Sequence, residues 1–182
     1  PGTKDIITKL TFEGNSPIVS QSSLEVVYSN DEYSQINNQE IVGFTSGTTE
    51  PPYIQPYNEY PFKGWGEMSI FHSSDGILDK PIFLVDGFDP NDTRNIEGIY
   101  AQLNYSGGNL GDTVRAQGFD VVVLNFPTYY REEDEVWIYG GADYIERNAM
   151  LLVELIKFIN NSKFVNEKNI VIGPSMGLSL IH

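Results

Sequence analysis

The chain has 182 residues, 40% of them hydrophobic and 13% aromatic, so it can bury a core and does not have a disordered protein's composition. Its net charge of −14 repels phosphate backbones and anionic lipids, and no apolar run approaches the ~18 residues of a membrane helix, so neither nucleic-acid binding nor a membrane span is expected. Cysteine is absent and only two histidines occur, which excludes disulfides and thiolate sites; no metal and no cofactor are expected.

Residues 1–66 are expected to form a β-rich amino-terminal region. Runs of β-branched and aromatic residues predict short strands at Ile6–Phe12, Leu24–Tyr28 and Glu40–Thr45. The prolines and aromatics between Pro51 and Trp65 rule out a helix. They predict an extended segment packed on its own domain, and a protein-binding strip is the alternative.

Residues 67–182 carry an α/β pattern. A strand is predicted at Glu67–Ser73, and continuous apolar runs predict buried strands at Pro81–Val85, Phe119–Phe126 and Asn169–Ile172. Apolar residues at helical spacing predict helices over Ile96–Gln117, interrupted near Gly107-Gly108, and over Ala142–Asn160. Strands that alternate with helices predict a parallel sheet with flanking helices.

A long aromatic and acidic loop is predicted over Pro127–Gly141. It leaves the carboxyl end of the second buried strand, so Tyr129, Tyr130 and Trp137 are candidates for lining a substrate pocket, and Gly87 is a further candidate. A solvated acidic loop with its aromatic rings packed beneath it is an equal alternative.

The pattern Gly173-Pro174-Ser175-Met176-Gly177 directly follows the third apolar run. A G-x-S-x-G sequence between a strand and a helix is typical of a nucleophile elbow, which holds a serine hydroxyl out at the head of the helix. Gly173 and Gly177 then leave room for the packed strand and helix. Ser175 is thus the candidate nucleophile, and the alternative is a serine that only caps the helix.

Asp86-Gly87-Phe88 follows the first buried strand. Acyl transfer needs two backbone N–H groups directed at the developing oxyanion. One is expected from Met176, the residue after the nucleophile, and the other from Phe88, where Gly87 lets the backbone approach closely. An ordinary loop opening at Asp86-Gly87 is the alternative.

These segments resemble the α/β-hydrolases, and within them the secreted bacterial esterase- or lipase-like members. The resemblance covers residues 67–177 and is carried by PIFLVDGFDP (81–90), RAQGFDVVVLNFP (115–127), GGADYIERNA (140–149) and NIVIGPSMG (169–177). It implies a partial α/β-hydrolase fold in which the three buried strands are the third, fourth and fifth. It also implies a small-molecule ester substrate and a secreted, periplasmic or cell-surface location.

Neither histidine fits the general base. His182 lies seven positions after Ser175, about 10 Å along a helix, and His72 precedes the sheet core. Asp89 and Asp92 are read as turn residues, with a cation site as the alternative. We therefore expect the amino-terminal portion of a serine hydrolase, inactive as this fragment. A non-catalytic binding or adhesion module on a hydrolase scaffold is the alternative.

The strand Asn169–Ile172 is expected to be an exposed sheet edge. Bare strand edges recruit other chains, so self-association of the fragment is expected.

Overall fold

The computed structural model describes residues 40–46 and 63–181. The chain divides after Glu40 into two units, and the second, Ile41–His182, holds the elements below. The expected strands Ile6–Phe12 and Leu24–Tyr28, most of the proline-rich stretch and His182 lie outside the described residues.

The described elements follow one another in chain order. They are β1 (Val42–Thr45), β2 (Trp65–Phe71), β3 (Pro81–Val85), α1 (Ile96–Ala101), β4 (Asn104–Tyr105), β5 (Gly108–Asn109), α2 (Leu110–Arg115), β6 (Asp120–Asn125), β7 (Thr128–Arg131), β8 (Val136–Tyr139), a 3-10 helix (Gly140–Ala142), α3 (Ile145–Ser162), β9 (Ile170–Ile172) and α4 (Met176–Ile181).

A mixed central sheet has the strand order β1-β2-β6-β3-β9. β3 pairs in parallel with β6 on one side and with β9 on the other, which confirms the predicted parallel arrangement of the three apolar runs. β2 is antiparallel to both β1 and β6, so four of the five strands point the same way. In chain order β3, β6 and β9 are the third, fourth and fifth strands of this sheet.

Alternate side chains of the central strands supply two separate cores. On one face, Phe83, Val85 and Val122 join a cluster with the apolar side of α3 and with Leu180 of α4. On the other face, Leu84 joins the apolar residues of α1. Every residue of β3 and β6 is buried, because helices cover both faces of these strands.

The predicted helix Ile96–Gln117 is two short helices joined by the β4–β5 hairpin. Asn95 caps α1, its side chain accepting the Gly98 N–H at 2.9 Å. Asn109 caps α2 in the same way, at 3.2 Å from the Asp112 nitrogen. The two caps start two separate helices, and the expected interruption near Gly107-Gly108 is this hairpin.

The long loop predicted over Pro127–Gly141 is instead largely a β-hairpin. β7 and β8 pair antiparallel, with Thr128 opposite Tyr139 and Arg131 opposite Val136. Its turn closes with an Arg131–Asp134 ion pair whose atoms are 2.7 Å apart, and Glu135 has a φ of 57°.

The interpretation of Asn169–Ile172 as a fully buried strand is wrong. β9 is the last strand in the order, and no described strand pairs with its outer edge. Ile170 and Ile172 are 45% and 40% exposed, whereas Val171 packs against the core on the α3 side.

The expected boundary between residues 66 and 67 falls inside β2, which begins at Trp65. Val42–Thr45 also joins this sheet, along β2. No helix in the described stretches has both the length and the apolar character needed to cross a bilayer.

The sheet end opposite the elbow is organised by the buried carboxylate of Asp120, the first residue of β6. It accepts the backbone N–H groups of Ser73 and Asp79, each at 3.1 Å, and lies 3.3 Å from Nδ1 of His72. One side chain therefore joins the segment after β2 and the segment before β3 to β6.

Asp120→Ala should lower the free energy of unfolding by about 3 kcal/mol, because two buried backbone N–H groups lose their acceptor at about 1–3 kcal/mol each. Glu132→Ala, in the exposed hairpin turn, is the control and should stay within about 0.5 kcal/mol of the wild type. Urea denaturation followed by far-UV circular dichroism measures both. An Asp120→Ala value as small as that of the control would contradict the role given to Asp120.

Candidate active site

Ser175 stands between the end of β9 and the start of α4, in an uncommon backbone conformation. Its φ is 55°, in the left-handed region that serine rarely occupies, and its side chain is exposed. Two hydrogen bonds begin the helix around it: Gly177 N–H donates to the Pro174 carbonyl at 3.0 Å and Leu178 N–H to the Ser175 carbonyl at 3.1 Å. A tight turn thus presents the hydroxyl at the carboxyl end of the sheet.

The two glycines of the motif lie where backbone segments touch. A Cβ on Gly173 would overlap the carbonyl group of Gly177, and one on Gly177 would come within 3.0 Å of the Val85 and Asp86 carbonyl oxygens. Real Cβ atoms essentially never come as close as the first of these contacts, and the second is tighter than nine in ten real Cβ contacts. The turn is therefore packed directly on the end of β3, which fixes the height of Ser175 above the sheet.

Gly87 brings the loop after β3 against the same turn. A Cβ there would lie 3.1 Å from the Pro174 carbonyl oxygen and 3.4 Å from Cβ of Ser175. The structure therefore places Gly87 and Ser175 side by side. Phe88 follows directly, with its side chain 56% exposed.

The loop after β3 is held by an ion pair between Asp86 and Arg94. Nε of Arg94 lies 3.0 Å from Oδ1 of Asp86, and the Asp86 residue is only 1% exposed. Burial raises the pKa of Asp86, and the hydrogen bond and charge of Arg94 oppose that rise. Sequence reasoning missed Arg94, because an arginine in a polar loop has no motif that reveals its partners.

Asp89 closes the same loop on itself. Its carboxylate accepts the N–H groups of Thr93 and Arg94, at 2.8 and 2.9 Å, and the Thr93 hydroxyl at 2.9 Å. Burial acts to raise the pKa of Asp89, but these hydrogen bonds outweigh it and the pKa is lowered. Asp92 accepts the Thr128 N–H at 2.8 Å. Both carboxylates therefore serve loop and hairpin geometry, as the turn interpretation expects.

Two backbone N–H groups near the turn, those of Phe88 and Met176, have no acceptor in the part of the chain that the structure describes. Met176 opens α4, where a free N–H is normal for the first turn of a helix. Phe88 lies on the loop that touches the elbow through Gly87. The arrangement offers a hydroxyl and two N–H donors on adjoining backbone segments.

The β7–β8 hairpin leaves β6 at this same end of the sheet, and the three aromatic candidates divide between its two faces. Tyr129 packs against Trp65, with ring centroids 6.0 Å apart, and burial raises the pKa of Tyr129 to about 12. Tyr130 and Trp137 form a tilted pair 5.4 Å apart on the exposed face, where Trp137 is 60% exposed. The hydrogen bond from Thr128 to Asp92 ties the hairpin to the loop that carries Phe88.

His72 lies at the opposite end of the sheet from Ser175. It is paired with Asp120, which is level with Pro81, whereas Ile172 is level with Leu84 and the elbow follows Ile172. The strand between these two levels spans about 10 Å, and Ser175 lies three residues further along the chain. A general base must lie within about 3 Å of the hydroxyl it deprotonates, so His72 does not reach Ser175.

Acidic and histidine side chains in the described ranges form no group of three or more that could hold a metal ion. No protein-family model matches the chain. No curated protein matches it either.

Among solved structures, the fold is similar to XC6422 of Xanthomonas campestris, described as a member of the α/β serine hydrolases without a lid. The TM-score is 0.44 at 12% sequence identity, over 78% of this chain and 53% of that one. This chain therefore spans about half the length of that protein, and the function proposed below rests on the site geometry alone.

Ser175→Gly should raise the free energy of unfolding by about 1 kcal/mol, because glycine adopts a φ of 55° without the steric cost that serine bears. The matched control is Ser179→Gly in the body of α4, which should lower it by about 0.5–1 kcal/mol through lost helix propensity. Urea denaturation measures both. A loss of stability in both variants would show that the Ser175 backbone is unstrained.

Proposed function

We propose that this protein carries the nucleophile and the oxyanion donors of a serine hydrolase that acts on carboxylic esters. The observation that carries the proposal is the left-handed backbone of Ser175, packed on the end of β3 beside Gly87. This conformation costs a serine residue about 1–2 kcal/mol. A helix cap needs no such strain, since a capping serine adopts extended backbone angles, so the geometry favours the nucleophile over the cap.

In this proposal the Ser175 oxygen attacks the ester carbonyl carbon. The carbonyl oxygen becomes an oxyanion that accepts hydrogen bonds from the N–H groups of Met176 and Phe88. The carbon–oxygen bond to the alcohol then breaks, and the alcohol leaves with the proton first taken from Ser175. Water hydrolyses the acyl-serine, which releases the carboxylic acid and restores the hydroxyl.

We do not assign the general base to either histidine of the 182 residues, since His72 is at the far end of the sheet and His182 is expected about 10 Å along the helix from Ser175. A serine hydroxyl without a base is a poor nucleophile at neutral pH. We therefore expect the 182-residue chain alone to be nearly inactive toward esters. The exposed pair Tyr130 and Trp137 supports the alternative of a binding module, because exposed aromatic rings are frequent in recognition surfaces.

A fluorophosphonate probe tests the nucleophile in the protein expressed to the natural stop codon of its gene. The probe should attach to Ser175, identified by peptide mass spectrometry, and Ser175→Ala should abolish labelling. Ser179→Ala, which removes an exposed hydroxyl one helical turn away, should label like the wild type.

In the same experiment, p-nitrophenyl acetate turnover should fall by more than about 10³-fold in Ser175→Ala. Wild-type protein that neither labels nor turns over ester would refute the enzyme and favour the binding module.

We also propose that the β9 edge drives self-association. The exposed side chains of Ile170 and Ile172 lie beside a strand edge that no described strand covers. Light scattering at micromolar concentration should give a mass above 20.4 kDa that rises with concentration. Ile172→Lys should return it to the monomer, whereas Ile77→Lys, at a similarly exposed position away from β9, should not. A wild-type monomer at all concentrations would contradict the proposal.

A further inference from the structure

The loop after β3 contains a single cation, Arg94, which bonds to a side chain before the proposed oxyanion donor and to a backbone carbonyl after it. Arg94 binds the Asp86 carboxylate through Nε at 3.0 Å and through Nη2 at 3.4 Å. The same Nη2 donates to the Phe88 carbonyl oxygen at 3.1 Å. The guanidinium therefore links Asp86, which precedes the Gly87–Phe88 peptide, to the carbonyl that follows the Phe88 N–H.

This bridge matters because the two side chains of the Gly87–Phe88 peptide add little to hold it in one orientation. Gly87 has no Cβ, so its backbone angles are intrinsically free. The Phe88 side chain is 56% exposed and gives the residue little packing. A rotation of the Gly87–Phe88 peptide would change the direction of the Phe88 N–H.

The bridge is itself anchored to rigid parts of the fold. Asp86 continues the ladder of β3, since its N–H donates to the Leu124 carbonyl of β6 at 3.0 Å. The backbone of Arg94 is held by the Asp89 carboxylate at 2.9 Å. The N–H of Asp89 donates to the Gly141 carbonyl, also at 3.0 Å. Hydrogen bonds thus hold the backbone of the loop before Phe88, at Asp86, and after it, at Asp89 and Arg94.

We infer that Arg94, anchored by the buried Asp86, is the positioning residue that aims the Phe88 N–H at the oxyanion formed on the ester. The inference rests on the proposed function for its oxyanion. Arg94 acts through the Phe88 backbone and does not touch the substrate. Its contribution is realised in the transition state, where the oxyanion forms, so its loss should lower kcat and leave KM nearly unchanged.

Arg94→Met tests this in the natural protein, because methionine is of similar length but cannot bridge the two acceptors. We expect kcat for p-nitrophenyl acetate to fall about 10–100-fold with KM within about twofold, since loss of one oxyanion donor costs about 10²–10³ in kcat. The ¹⁵N order parameter of the Phe88 amide should fall from about 0.85 to below about 0.6. Arg94→Lys keeps the charge but lacks the planar fork, so it should fall between the wild type and Arg94→Met.

Arg115→Met is the matched control, because Arg115 is equally well bonded but at the other end of the sheet. It donates to the His72 carbonyl at 2.8 Å and pairs with Asp112 at 3.3 Å. Its loss should cost stability without altering kcat or the Phe88 order parameter. If Arg94→Met does not fold, the comparison of Arg94→Lys with the wild type decides on the same two readouts.

The outcomes separate this inference from the proposed function. If the wild type labels at Ser175 but Arg94→Met keeps its kcat, or keeps the Phe88 order parameter, the positioning role is overturned and the nucleophile stands. A fall in kcat with KM nearly unchanged, together with a fall in the Phe88 order parameter, supports the role if neither change appears in Arg115→Met. If the wild type does not label, the proposed function fails, and the inference fails with it whatever the order parameter shows.

Discussion

The carboxyl end of β3 is the point on which the candidate site depends. β3 is buried on both faces and lies between β6 and β9. The carbonyl of Val85, its last residue, packs directly against Gly177. The next residue, Asp86, begins the loop that contacts the elbow through Gly87. Ser175 and the loop after β3 are thus both positioned by one strand that is buried on both faces.

Strand direction decides at which end of the sheet the candidate site lies. Ligands of parallel sheets bind beyond the carboxyl ends of the strands, where the loops of neighbouring strands converge. The elbow after β9, the loop after β3 and the hairpin after β6 all emerge there. The opposite end carries the Asp120 hydrogen bonds that join connecting segments to β6. The topology of the sheet therefore places the elbow at one end and the structural carboxylate of Asp120 at the other.

The two fully buried strands, β3 and β6, and the strand–turn–helix around Ser175 could be predicted because their signals are local. Pro81–Val85 is apolar throughout, and helical spacing marks α3. The β7–β8 hairpin was missed although aromatic and β-branched runs flank its acidic turn, since each strand has only four residues. The exposure of Ile172 is in line with the exposed edge expected at Asn169–Ile172, although the apolar run alone indicated a strand buried on both faces. Arg94 could not be identified from the sequence, because its partners are set by the fold of the loop.

The Asp86–Arg94 pair also constrains how this loop can change over evolutionary time. Asp86 is nearly inaccessible, and removing one partner of a buried ion pair costs about 3–5 kcal/mol because the other charge is left uncompensated. A domain with typical stability of about 5–15 kcal/mol has little margin for such an intermediate. Replacement of both residues by an uncharged pair is far less costly. Homologous sequences should therefore keep both residues or lose both together, so that the two positions covary.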